Sequence, residues 1–149
     1  MRILFVCTGN SCRSPIAELF FEDFCRKAGR EDIEARSAGV FAYDGGHISV
    51  SAAAVMRENG IDGSKFRSAR LTNSLAAEFD LIIAMTQGHL ADIQAICPSA
   101  IGKVKLLLDF AGGGDVPDPY GGSVEHYRRV FESMRPALEN LANFVMDSK

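Results

Sequence analysis

Little in this chain of 149 residues points to a metal, a membrane or a nucleic acid. It has three histidines, His47, His89 and His126. They stand far apart and lack ligand spacing to cysteines or carboxylates, so no metal centre and no cofactor is expected. No apolar run approaches a membrane span or a signal-peptide core, and the first one, Ile3–Val6, stops at Cys7. Charge of one sign is not in excess: 16 Lys and Arg against 19 Asp and Glu give a net charge of −3. A nucleic-acid or anionic-membrane partner is therefore not expected, and any anion must be bound at a local site. Four cysteines could form two disulfides, but a chain of this length buries a core without staples and shows no secretory signal. The cysteines are read as reduced and the protein as cytoplasmic. Repeats, low-complexity tracts and a domain linker are absent too, so residues 1–149 are read as one domain.

What is present alternates between strand and helix signals. Ile3-Leu4-Phe5-Val6 suits a strand covered on both faces. Ser14-Pro15 reads as an N-cap with proline at the first helical position, followed by Ile16, Leu19, Phe20, Phe24 and Ala28 at helical spacing and a stop at Gly29. A strand around Ile33–Arg36, a helix over Ser51–Asn59 ending at Gly60, and a short helix after Thr72 follow. Leu81–Met85 reads as a buried strand, Thr86 as the cap of a helix reaching Ile96, and Val104–Leu108 as a fourth strand. The stretch Asp109–Gly122, rich in Gly, Pro and Asp, is expected to be a loop. Val124, Tyr127, Phe131, Met134, Leu138, Leu141 and Val145 then mark a long last helix, interrupted by Pro136. This order implies an α/β fold with a parallel sheet and helices on both faces.

In such sheets ligands bind beyond the carboxyl ends of the strands. Cys7-Thr8-Gly9-Asn10-Ser11-Cys12-Arg13-Ser14 lies at such an end and opens a helix, whose free N–H groups attract anions. Gly9 and Asn10 are the residue types that most readily take positive φ in a loop curled around phosphate. Cys7 would lie on the floor of that cradle as a nucleophile, its thiolate stabilised by the N–H groups, Arg13 and the Ser14 hydroxyl. Arg13 offers a planar fork matched to two phosphate oxygens. The nucleotide-loop pattern G-x-x-x-x-G-K-[ST] is missing, and four residues rather than two separate Cys7 from Cys12, so a thioredoxin-like reading fails. A phosphate ester also needs a proton donor for its leaving group. Asp109, Asp115 and Asp118 stand in the loop after the fourth strand, and Asp118-Pro119-Tyr120 combines a stiffened backbone with a pocket-wall aromatic.

The segment CTGNSCRSPIAE, Cys7–Glu18, resembles the signature of low-molecular-weight protein tyrosine phosphatases. Asp118-Pro119-Tyr120 resembles that family's acid loop, and Arg36-Ser37-Ala38-Gly39 also matches. The likeness runs from Ile3 to the last helix. It implies a doubly wound sandwich with a four-stranded parallel sheet. It also implies a phosphoenzyme on Cys7, phosphate held by Arg13, and Asp118 acting first as acid and then as base. Phosphorylated proteins would be the substrates and inorganic phosphate the product. Asn10, Ser14 and Ser37 would support the loop. Cys12 matches a vicinal cysteine that could trap an oxidised Cys7 as a disulfide. One departure is Phe66, where the family commonly carries a histidine joined to that support network.

The resemblance covers two branches. Tyrosine phosphatases carry a branched apolar residue where Ser11 stands, whereas the arginine branch carries threonine. Tyr43 and Tyr120 suit a phenyl ring by stacking, so phosphotyrosine is the expected substrate and phosphoarginine the alternative. Arsenate reductases on the same fold need a second cysteine pair, and neither Cys25 nor Cys97 has a close partner in sequence. A non-catalytic phosphate-binding module would not require both Cys7 and Asp118.

Overall fold

The computed structural model describes residues 1–148. Four strands, β1 (Arg2–Cys7), β2 (Glu34–Gly39), β3 (Leu81–Ala84) and β4 (Val104–Leu106), form one parallel sheet in the order β2-β1-β3-β4. The helices are α1 (Arg13–Lys27), α2 (Val50–Glu58), α3 (Asn73–Ala76), α4 (Gln87–Ile96) and α5 (Val124–Asp147). This is the expected doubly wound α/β sandwich.

The apolar runs are continuous because both faces of the sheet are covered. Successive side chains of a strand alternate faces. Ile3, Phe5 and Cys7 accordingly pack with residues of α1, α2 and α5. Leu4 and Val6 pack with residues of α3 and α4 on the opposite side. Phe131, Met134, Leu138 and Leu141 of α5 are each fully buried. At about 1.5–3 kcal/mol apiece they outweigh the roughly 3 kcal/mol that an interior proline costs. Helix α5 therefore continues through Pro136.

Ser49, Thr72, Thr86 and Ser123 each accept a hydrogen bond from the amide three residues on, which fixes where α2, α3, α4 and α5 begin. Helix α1 ends in a Schellman turn: Gly29 takes φ +78°, and the Arg30 amide reaches back to the Cys25 carbonyl. Two strand boundaries depart from the expectation by more than one residue. Strand β2 runs on to Gly39 because Ser37, Ala38 and Gly39 keep pairing with Phe5, Val6 and Cys7. Strand β4 stops at Leu106, and Leu107–Ala111 tightens into a 3-10 turn.

The chain pairs β2 on one side of β1 and then crosses to place β3 on the other. A crevice therefore opens beyond the carboxyl end of β1. Cys7 is the last residue of that strand.

Candidate active site

Between Cys7 and the first residue of α1, Arg13, the loop has five residues. The amides of Gly9 to Cys12 donate to no carbonyl or side chain among the described residues. Only Asn10 takes positive φ here, at 54°; Gly9, expected to share that role, does not. The expected Ser14 cap is also corrected. Cys12 occupies the N-cap position without a side-chain bond, and Ser14 lies inside the first turn. The reason is that the Ser14 hydroxyl is engaged elsewhere, 2.8 Å from the Cys7 sulfur.

The direction of each hydrogen bond behind the loop follows from the donor inventory. Asn10 Nδ2 donates to Ser14 Oγ at 2.8 Å and to Ser37 Oγ at 2.9 Å, using both its protons. Ser37 passes its one proton to Glu18 Oε1 at 2.6 Å. Ser14 has one proton left, and it is free for the Cys7 sulfur. Asn10 Oδ1 accepts from the Ala69 amide at 2.8 Å. That backbone donor completes the network from which the family's histidine is missing. Phe66 is buried and contributes no polar group to it. Burial pushes the Glu18 carboxyl up to about 7, opposed by the Ser37 hydrogen bond and the charge of Arg36.

Gly39 explains the match over Arg36–Gly39 physically. A Cβ there would lie 2.4 Å from the Thr8 carbonyl oxygen and 3.0 Å from the Asn10 nitrogen. The loop thus rests directly on the end of β2. The amides of Val40 and Phe41 donate to the carbonyls of Cys7 and Thr8, which draws Phe41 beside the loop.

Opposite stands the loop that carries Asp118. The buried Arg13 donates from Nη1 to the Val116 carbonyl at 3.1 Å, and its Nη2 is 3.7 Å from Asp118 Oδ2. Asp118 also accepts from the Tyr120 amide at 3.1 Å and keeps its carboxylate largely exposed. Asp115, another aspartate of the same loop, instead accepts from the Gln87 amide at 2.9 Å. Cys7, Thr8, Gly9, Ser11, Cys12, Arg13, Asp118 and Tyr120 all line one cavity of about 380 Å³. The second aromatic wall is Phe41, 84% exposed, and not Tyr43. Tyr43 is exposed and does not line this cavity. A larger groove, about 500 Å³, lies between α4, β4 and α5 and is lined by no cysteine.

The other thiols have different surroundings. Cys12 Sγ lies 3.2 Å from the Tyr127 hydroxyl, whose pKa burial pushes up to about 12. Cys25 and Cys97 are fully buried on opposite faces of the sheet, and burial pushes both thiols up. That separation leaves no cysteine pair for an arsenate-reducing relay. Phe41, Glu18, Ala69 and His89 were invisible as site residues in the sequence. Each reaches the site by a contact between distant segments, and only the Gly39 match hinted at one of them.

Comparisons with known proteins agree with this fold. A family model described as low molecular weight phosphotyrosine protein phosphatase matches residues 2–149. A protein-arginine-phosphatase of Geobacillus stearothermophilus is 39% identical over 143 residues, 95% of this chain and 93% of that protein. The low molecular weight protein-tyrosine-phosphatase Etp of Escherichia coli K12 is 34% identical over 140 residues, 94% of this chain and 91% of that one. Among solved structures, a YwlE arginine phosphatase mutant with a phosphorylated active-site serine superposes with a TM-score of 0.94. It is 35% identical and covers 100% of this chain and 98% of its own. The low molecular weight protein tyrosine phosphatase from T. tengcongensis gives 0.91 at 39% identity, covering 97% of this chain and 99% of that one.

Proposed function

Because the chain belongs to the low-molecular-weight protein phosphatase family, hydrolases of phosphorylated proteins, we propose that residues 1–149 form one cytoplasmic phosphatase domain in which Cys7, Arg13 and Asp118 carry the reaction. The observation that supports this most is the sulfur of Cys7, which lies 2.8 Å from a hydroxyl whose proton has no other acceptor. It sits on the floor of a cavity shared with Arg13 and Asp118.

The Cys7 thiolate attacks phosphorus, forming the S–P bond as the bond to the leaving group breaks. Asp118 gives its proton to the departing atom. Arg13 and the amides of Gly9 to Cys12 hold the charge on the equatorial oxygens. Water then attacks the phosphocysteine, Asp118 takes up a proton, and inorganic phosphate leaves with the thiolate restored. The Ser14 proton stabilises that thiolate at both ends of the cycle.

Phosphotyrosine is the substrate on this reading, because Phe41 and Tyr120 offer aromatic faces to a phenyl ring above the sulfur. Phosphoarginine is the second reading, favoured by Ser11. Its hydroxyl lines the cavity together with the Asp118 carboxylate, giving a guanidinium two acceptors that a phenyl ring cannot use. Turnover of phosphotyrosine and phosphoarginine peptides, measured side by side in wild type, Ser11→Ile and Ser11→Thr, tests both. Ser11→Ile is expected to raise the phosphotyrosine to phosphoarginine ratio of kcat/KM, and Ser11→Thr to lower it. Turnover of neither peptide by wild type would sink the proposed function. Ratios unmoved in both variants would place specificity with Phe41 and Tyr120 instead.

A further inference from the structure

His89 is a buried, titratable side chain that the mechanism above does not use. Its Nε2 lies 2.8 Å from Thr8 Oγ1, in the phosphate loop, and its Nδ1 lies 3.1 Å from Thr86 Oγ1. The cap of α4 does not need this ring, because Thr86 Oγ1 already accepts from the His89 backbone amide. Burial and the neighbouring charge of Arg13 push the imidazole down to about 4, so it is neutral near pH 7, with one nitrogen donating and one accepting.

The same short stretch holds the other catalytic loop. The Met85 carbonyl accepts from the Val116 amide at 3.0 Å, and the Gln87 amide donates to Asp115 Oδ1 at 2.9 Å. The Val116 carbonyl in turn receives Arg13. Val116, two residues before Asp118, is thus hydrogen-bonded to the junction on one side and to the phosphate loop's arginine on the other. The two loops lie about a hundred residues apart in sequence, and they also meet directly where Arg13 Nη2 lies 3.7 Å from Asp118 Oδ2. Helix capping alone would require Thr86 and nothing further.

We propose that the β3–α4 junction, Met85–His89, is a bracket that fixes the acid loop against the phosphate loop, with His89 and Asp115 as positioning residues at its two ends. The bracket rests on the assignment of Cys7 as nucleophile and Asp118 as acid. It contributes to the step in which their relative placement matters most, protonation of a poor leaving group. Cutting either end leaves the loops folded but lets the carboxyl group drift from the leaving atom, and a displacement of about 1 Å can cost on the order of a hundredfold in rate.

The test compares kcat for phosphotyrosine and for p-nitrophenyl phosphate, whose leaving group needs little protonation. The variants are His89→Leu, Asp115→Ala, their combination, His89→Gln and Asp118→Asn. His89→Leu and Asp115→Ala are each expected to lose about tenfold on phosphotyrosine and no more than about twofold on the activated ester. The double variant should fall no more than about threefold below the worse single one, since both disturb one placement. His89→Gln, whose amide can reach the Thr8 hydroxyl, should recover to within about threefold of wild type. Thr8→Val cuts the same bond with little change of shape and should repeat the His89→Leu pattern if that variant folds poorly. Equal losses on both esters, or single losses that multiply in the double variant, would overturn the bracket. Asp118→Asn separates the two claims. If it loses activity selectively on phosphotyrosine and the junction variants do not, only the bracket fails. If it loses both esters equally, the acid assignment fails and takes the bracket with it.

Discussion

Asn10 has two amide protons and one carbonyl, and each has a partner: Ser14, Ser37 and the Ala69 amide. Its φ of 54° is a backbone state that Asn tolerates better than most side chains. One residue therefore sets the turn of the loop and directs the Ser14 proton to Cys7. Cys12, two residues on, has a different attachment. Its thiol faces Tyr127 at 3.2 Å and Ser49 at 3.7 Å. To close a disulfide on Cys7 it must exchange those contacts for the neighbouring sulfur: peroxide turns the Cys7 thiolate into a sulfenic acid, the Cys12 sulfur attacks it, and the S–O bond breaks as the hydroxyl leaves as water with the Cys12 proton. Activity lost to peroxide is then expected to return with a dithiol in wild type but not in Cys12→Ser. Equal recovery in both would mean that Cys12 protects nothing.

At the scale of elements, the end of β2 matters as much as the end of β1. Gly39 pairs with Cys7 across the ladder and lets the Thr8 carbonyl pass where a side chain would stand. In Gly39→Ala something must shift: the contact at 2.4 Å is with backbone, and the next, at 2.7 Å, is with the Ala42 side chain. The expected cost is about 1–3 kcal/mol of stability, together with a fall in turnover as the loop is displaced. Gly9→Ala is the comparison, because a Cβ there meets only Ser11 Oγ at 3.7 Å. Denaturant unfolding of the two variants checks this. Equal destabilisation would show that the loop does not rest on β2 as described. Element starts were legible where a hydroxyl caps a helix with no competing task, as at Thr72 and Thr86. They were misread at Ser14, whose hydroxyl serves the sulfur instead.

Over the whole molecule, the strand order places four carboxyl ends along one edge and the crossover point at β1. The fold was legible because apolar runs and helical spacings are local patterns, and the site was legible wherever its residues share one loop. The candidates Cys7, Arg13 and Asp118 come from two short segments. Phe41, Glu18, Ala69 and His89 could not, since each joins the site through a contact between segments that only packing brings together. Tyr43 was misread for the converse reason: closeness in sequence to Phe41 did not decide which ring faces the cavity. The central claim, that phosphate passes through the sulfur at the end of β1, is tested most directly by acid-quenching the enzyme during turnover and mapping the trapped phosphoryl group by mass spectrometry. Phosphate is expected on the peptide carrying Cys7, at stoichiometry approaching one per active site when the second step is slowed. A phosphoryl group on any other residue, or steady turnover with none trapped, would contradict it.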